Sequence, residues 1–280
     1  VAEKTIFEYE DIKGEALAVP VSNINPYLVD APDLVLEKRN QPICIVPTIS
    51  YGSMANDDGH LLLDKEQRNA LIAAEPATAP YIRRYMGAQE FLNNAERWCL
   101  WLKDISPSLM RSSNELRHRI EAVRKFRASS NREATRNLAA TPSLFGEDRQ
   151  PLKSYLLLPK VSSENRPYMP IGFMPSEVIA NGSALTISDS GHYEMGVLQS
   201  KMHMAWMRAV AGRMKSDYQY SAQIVYNNFP WPDLPEKLEP NQPQTPTHKA
   251  QTAIEKAAQA VLDARAQFPG SSLADLYDPL

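Results

Sequence analysis

Twenty-two prolines punctuate this 280-residue chain, and their placement limits what can be regular in it. A proline donates no backbone hydrogen bond and fixes its own φ, so helix and sheet interiors must fall between them. Pro20, Pro26, Pro32, Pro42 and Pro47 cut the first fifty residues into short runs. Of these, VLEK (35–38) and ICIV (43–46) read as strands. Near the other end, six prolines within 230–246 predict a stiff, extended linker.

Between these limits the patterns are clearer. Residues 64–75 predict a helix, with Asp64 as N-cap and Gln67 completing a capping box. RWCLWL (97–102) and YLLLPK (155–160) predict buried strands. Residues 106–130 read as helical, started by Ser106-Pro107, with Ser112 and Glu115 as a second capping box and Leu116, Ile120 and Val123 as the buried stripe. Asn181-Gly182, between EVIA and SALTIS, is a strong hairpin signal. From Tyr193 to Gly212 one amphipathic helix is expected, its face lined by Met195, Leu198, Met202, Ala205, Trp206 and Ala209. A strand-forming stretch follows, with Tyr218, Tyr220, Ile224, Val225 and Tyr226. The last expected helix, 248–268, carries a narrow stripe from Ile254 to Arg265 that must pack on a neighbour. The fold class is α+β: short strands, two main amphipathic helices and a C-terminal helical segment.

Complete chemistry is harder to find. There is no glycine-rich nucleotide fingerprint, no metalloprotease helix, no Cys-x-x-Cys pair and no nucleophile elbow. Asn25-Pro26-Tyr27 reads as an ordinary turn, and His60 lacks a partner at metal-ligand spacing. Cys44 and Cys99 sit among apolar residues as core thiols. No apolar run is long enough to span a bilayer, so no membrane role and a cytoplasmic location are expected.

The net charge of −3 announces no global field for nucleic acid, so any such contact must be local. Two places qualify. Across 111–136, eight basic residues face three acidic ones, and Arg124, Arg127, Arg132 and Arg136 are the candidate phosphate contacts. Between buried strands, Ser162, Ser163, Glu164, Asn165, Arg166 and Tyr168 crowd a polar loop. Arginine can donate twice to guanine, glutamate can accept from cytosine and asparagine can pair with adenine. The plainer reading of each is a solvated helix face and a loop in which Arg166 pairs with Glu164.

Leu198, Ser200, His203 and Trp206, then Ser216 to Ser221, then Tyr226 to Pro232 form one long string. It resembles the end of the target-recognition domain in MmeI-like single-chain restriction-modification enzymes. Residues 23–39, 81–102 and 156–173 resemble the same family, as does Leu-Ala-Asp-Leu-Tyr-Asp-Pro at 273–279. The resemblance implies a longer enzyme, with upstream nuclease and methyltransferase domains, that uses S-adenosylmethionine to methylate an adenine in double-stranded DNA. This chain would hold the tail of the methyltransferase and a connector (1–80), the target-recognition domain (81–235), a linker (236–247) and the start of a C-terminal helical segment (248–280). It would carry no cofactor and no catalytic residue of its own, and would be inert alone. The competing reading is a protein-interaction module that binds partner subunits.

Overall fold

The computed structural model describes residues 4–9, 13–26, 28–33, 35–233 and 245–278, and its architecture is mixed α+β. At the start, β1 (Lys4–Tyr9) and β2 (Ala16–Val21) pair antiparallel, with Lys4 opposite Val21. The stretches expected as strands at 35–38 and 43–46 are instead irregular. Distant residues take up their backbone groups in place of a ladder. Asn228 Nδ2 donates to Glu37 O at 3.0 Å and Asn227 Nδ2 to Arg39 O at 2.7 Å. The Arg39 and Ile43 amides donate to Gln223 O and Asn227 O. Leu36, Cys44 and Val46 still turn onto the core.

Two four-stranded sheets carry the middle of the chain. In the first, β4 (Leu62–Leu63), β6 (Trp98–Leu100), β5 (Ile82–Met86) and β10 (Ile179–Ala180) lie side by side, the β5–β10 pair parallel and the others antiparallel. In the second, β3 (Ile49–Tyr51), β11 (Ala184–Ser188), β7 (Tyr155–Pro159) and β9 (Gly172–Met174) are antiparallel throughout. As expected, Tyr155–Pro159 is buried along its whole length.

Asn181-Gly182 does not make the expected hairpin, because the strands on either side belong to different sheets. Asn181 crosses between them: its amide donates to Met86 O at 2.8 Å, and its Oδ1 accepts from the Ser183 amide at 2.8 Å. Gly52 makes the approach possible, since a Cβ there would stand 2.2 Å from Asn181 O.

Helix ends follow the chain's own caps. In α1 (Lys65–Ala74), Asp64 and Gln67 form the expected capping box. A short α2 (Ala88–Asn93) packs beside β5. The next helical stretch divides into α3 (Pro107–Ser112) and α4 (Asn114–Ala128). The cap of α4 is Ser113, one residue later than expected, and its Oγ accepts from the Leu116 amide at 3.0 Å. Glu75 fixes this choice from outside the helix: its Oε1 accepts from the Asn114 and Glu115 amides, bringing a negative charge to the helix N-terminus. A single turn and a half, α5 (Glu133–Asn137), closes the basic region.

The helix expected over 193–211 is also broken, into α6 (His192–Leu198) and α7 (Lys201–Val210). Ser200 is the reason: its Oγ accepts from the His203 amide at 3.1 Å, capping a new helix rather than continuing the old one. Beyond it, β12 (Gly212–Met214) and β13 (Asp217–Gln219) form a hairpin joined to β8 (Val161–Ser162). Ile224, Val225 and Tyr226 are not in a strand. Ser221 caps a wide helical turn over Ala222–Tyr226, in which the Tyr226 amide reaches back to Ser221 O.

The interior divides between the sheets. Leu61, Cys99, Leu100, Leu116 and Val123 centre one cluster; Leu156, Leu185, Met195, Leu198, Met207, Val225 and Tyr226 centre a second; Met86, Phe91, Tyr155 and Leu157 belong to a smaller third. Burial pushes the Cys99 thiol well above its ordinary range, away from reactivity. Residues 234–244, most of the expected linker, lie outside the described residues. The stripe of α8 (Pro246–Ala266) packs on α6 at Gly196, where a Cβ would stand 2.7 Å from Ile254 Cγ2. A last turn, α9 (Leu273–Tyr277), is capped by Ser272 with Asp275. Among the described residues no helix is long and apolar enough to cross a membrane.

Candidate nucleic-acid interface

The polar loop grows out of the three-stranded sheet. Ser162 pairs with Tyr218 and Val161 with Gln219, antiparallel, so the loop that follows β8 leaves the sheet where β13 begins. The β12–β13 turn stands at that same end, with Met214 opposite Asp217 and Lys215 held at φ 58°. Two segments far apart in sequence are thereby brought together. Arg213 joins them: its guanidinium lies 3.9 Å from the Tyr218 ring centroid, donates to Ser216 O at 2.8 Å and reaches Glu164 Oε2 at 3.9 Å.

Within the loop the expected residues divide. Asn165 is exposed, and Ser163, Glu164 and Tyr168 are half-buried. Ser162 is buried in β8. Tyr168 packs against the larger core cluster. Arg166 differs most from expectation. It is 8% exposed and pairs with neither Glu164 nor solvent. Its Nε donates to Asp278 Oδ1 at 2.5 Å and its Nη2 to Asp278 Oδ2 at 3.0 Å, the fork geometry that arginine makes with carboxylates. Its guanidinium is thus taken up by the C-terminal segment rather than presented at the loop's surface.

The basic region is corrected at one residue. Arg127 is fully buried, and every one of its N–H donors is taken by a backbone carbonyl. Nε donates to Asn56 O; Nη1 to Leu138 O and Thr141 O; Nη2 to Ala55 O and Leu144 O, all between 2.7 and 3.0 Å. It ties α4 to two loops and has nothing left for a phosphate. Spacing carried the signal: Leu116, Ile120, Val123 and Arg127 form one continuous helical face. Burial draws its pKa down, and the nearby Asp57 carboxylate opposes that shift. Arg124, Arg132 and Arg136 are exposed as expected. Arg124 also pairs with Glu121 at 2.9 Å, and Arg136 donates to Ser130 O. Arg111, Arg117 and Lys125 are exposed on the same run of helices. This basic surface sits over the β4–β5–β6–β10 sheet, whereas the polar loop sits at the end of the β8–β13–β12 sheet. They are two surfaces on separate supports. Arg213 and Lys215 escape a reading of the residues alone, since only the strand pairing places them beside the loop.

The Ser-x-x-His-x-x-Trp string and its sequel are internal joinery. His203 Nε2 and the Tyr220 hydroxyl share a hydrogen bond, Trp206 Nε1 donates to Val225 O at 2.8 Å, and Tyr226 O–H donates to Pro47 O at 2.7 Å. Among the described residues no group of histidines, cysteines and carboxylates could hold a metal ion.

This α+β chain matches the model of a target recognition domain over residues 30–233, and that of a following C-terminal domain over residues 246–280. Both models describe MmeI, and the chain belongs to the MmeI family. DNA methyltransferase A of Bacillus subtilis (strain 168) is 36% identical over 259 residues, which are 92% of this chain and 28% of that protein. The type IIL restriction-modification enzyme MmeI, solved in complex with DNA, matches the whole chain at 44% identity with a TM-score of 0.91. The chain covers 36% of that structure and so spans well under half the length of either relative.

Proposed function

We propose that this chain reads a specific sequence in double-stranded DNA on behalf of an S-adenosylmethionine-dependent adenine methyltransferase within the same polypeptide. The observation that carries the reading is the match, over the full chain, to an enzyme solved with DNA bound. Two surfaces support it in chemical terms. The exposed arginines of α3 to α5 suit phosphates, which fix register without selecting sequence. The end of the β8–β13–β12 sheet presents Glu164, Asn165, Arg213 and Lys215, whose donors and acceptors suit base edges in a major groove. Tyr218 of that sheet is buried in the larger core cluster, which gives readout a fixed support.

The methyl-transfer chemistry belongs elsewhere in such an enzyme. A cleft of about 260 Å³ between Arg83, Trp101, Lys103, Asp148 and Glu177 has no glycine in its lining, and its Lys103 and Asp148 are already paired at 2.7 Å. Those residues do not fit the adenosine cofactor.

Two measurements on the full-length protein test the reading. Binding to random duplex DNA is titrated with salt, where phosphate contact gives a steep linear loss of log affinity. Methylation is then followed over a randomised site library. A flat salt response together with no preferred site rejects DNA reading and favours a protein-interaction role.

A further inference from the structure

The C-terminal segment grips the loop's buried shoulder at two points, Arg166 and Ile171, and reaches a third, Met169, through Gln199. Asp278 takes the Arg166 guanidinium through both carboxylate oxygens. Arg265 of α8 donates through Nη1 to Ile171 O at 2.7 Å. Gln199 donates to Met169 O at 2.9 Å and approaches the Tyr277 hydroxyl at 3.4 Å, and Arg265 Nε donates to that same hydroxyl at 3.2 Å. Leu273 of α9 packs against the small buried cluster that includes Phe91 and Tyr155, which anchors the segment. The two sides of this grip are matched by different domain models, one ending at 233 and the other beginning at 246.

We propose that Asp278, Tyr277 and Arg265 form a clamp that sets the position of the 163–168 loop, so that sequence discrimination depends on C-terminal residues that touch no DNA. This rests on the DNA-reading function proposed above. Arg166 is then a positioning residue. With its side chain drawn inward to Asp278, its neighbours Glu164 and Asn165 are left at the surface. Within the loop two long hydrogen bonds are made, the Arg166 amide to Ser163 O at 3.2 Å and the Asn165 amide to Ser163 Oγ at 3.3 Å, and from outside it Arg213 reaches Glu164 at 3.9 Å. A loop so lightly tied to itself needs an external anchor to hold one conformation, and a bidentate pair fixes both distance and angle.

The test uses the full-length protein with Asp278→Asn, Arg166→Lys and the exchange Arg166→Asp with Asp278→Arg. Amide hydrogen exchange without DNA reads the clamp itself. Exchange at 163–168 is expected to quicken in both single variants while β7 and α4 keep their protection. Lysine cannot reproduce the fork, so Arg166→Lys fails despite keeping the charge. The ratio of cognate to random-duplex affinity reads the consequence, and is expected to fall roughly tenfold in each single variant and to recover in part in the exchanged pair. The salt slope on random duplex stays unchanged. Unchanged exchange at 163–168 overturns the clamp. Faster exchange with an unchanged affinity ratio overturns its link to discrimination. Equal loss on cognate and random DNA makes the pair a support of the fold alone. A wild-type protein without site preference removes the DNA-reading function, while the exchange data still decide the clamp.

Discussion

His203 Nε2 lies 3.0 Å from the Tyr220 hydroxyl in a fully buried setting, with the Phe229 ring edge-on at 4.5 Å between centroids. Its Nδ1 has no partner, so a second proton would be carried there unpaired. Burial draws the His203 pKa from 6.5 down to about 3. The stability it contributes is therefore fully present above about 6.5. It falls as pH drops, because the unfolded chain takes up a proton that the native state refuses. The slope is about 1.4 kcal/mol per pH unit, so pH 5 should cost about 2 kcal/mol through this group. Thermal melts of wild type and His203→Gln at pH 7.5 and 5.5 check it: the gap between the two pH values should narrow in the variant. Equal gaps would show that His203 does not set acid sensitivity.

Arg127 predicts a different kind of loss. Replacing it with alanine takes the side-chain donor from five carbonyls, three of which keep a backbone donor, and empties a fully buried volume; the expected destabilisation is about 3–5 kcal/mol by urea unfolding. Arg127→Lys should recover little, since an ammonium cannot spread donors over that arc of acceptors. Where the variant remains folded, its salt slope on random duplex should equal that of wild type. A reduced slope would return Arg127 to the phosphate-binding surface.

The exposed arginines should behave in the opposite way. Neutralising Arg124, Arg132 and Arg136 together to glutamine should lower the salt slope by about one for each phosphate no longer neutralised. Melting temperature and preferred site should hold. If the slope is unaffected and the protein still binds, that helical face is only solvated.

Asn165 is the loop residue most open to a base. Asn165→Ala is expected to relax preference at one position of the recognised site, worth about 1–3 kcal/mol of discrimination, with no change in melting. Methylation over a site library reads this directly, and an unaltered preference would confine readout to the neighbouring hairpin.

Gly196 tests the junction of α6 and α8. A methyl there meets Ile254 Cγ2 at 2.7 Å and Ile254 O at 3.0 Å, so Gly196→Ala must push the helices apart. Overpacking of this kind costs about 1–3 kcal/mol. Urea unfolding measures it, and a neutral substitution would mean that α8 yields without loss.

What could be read from the residues alone was whatever local chemistry decides. The Asp64–Gln67 box, the Leu116–Ile120–Val123 stripe and the buried run at Tyr155 each depend on neighbours a few positions away. Other features depended on partners far along the chain. Residues 35–46 have strand-like composition but are held by Asn227 and Asn228, close to two hundred positions later. The Asn181-Gly182 signal for reversal was sound, yet a parallel partner, β5, drew β10 into another sheet. For the site, composition found the basic helices and the polar loop. It did not separate Arg127 from Arg124, although helical spacing puts Arg127 on the buried face, and it could not separate Arg166 from Asn165, because the Asp278 carboxylate that draws Arg166 inward lies 112 positions away.

The reach of Asn227 and Asn228 back to residues 37–39 bears on how such lobes could be exchanged between relatives. β3 and β4, from residues 49–63, complete the two central sheets, and Tyr226 is tied to Pro47. A transplant beginning at residue 81 would leave both sheets with a raw edge, and would take the Arg39 carbonyl from Asn227 and the Glu37 carbonyl and Arg39 guanidinium from Asn228. A recipient scaffold would have to supply matching carbonyls at those points, or the graft would have to start before Glu37. A cut made before Glu37 keeps these bonds and both sheet edges within one piece.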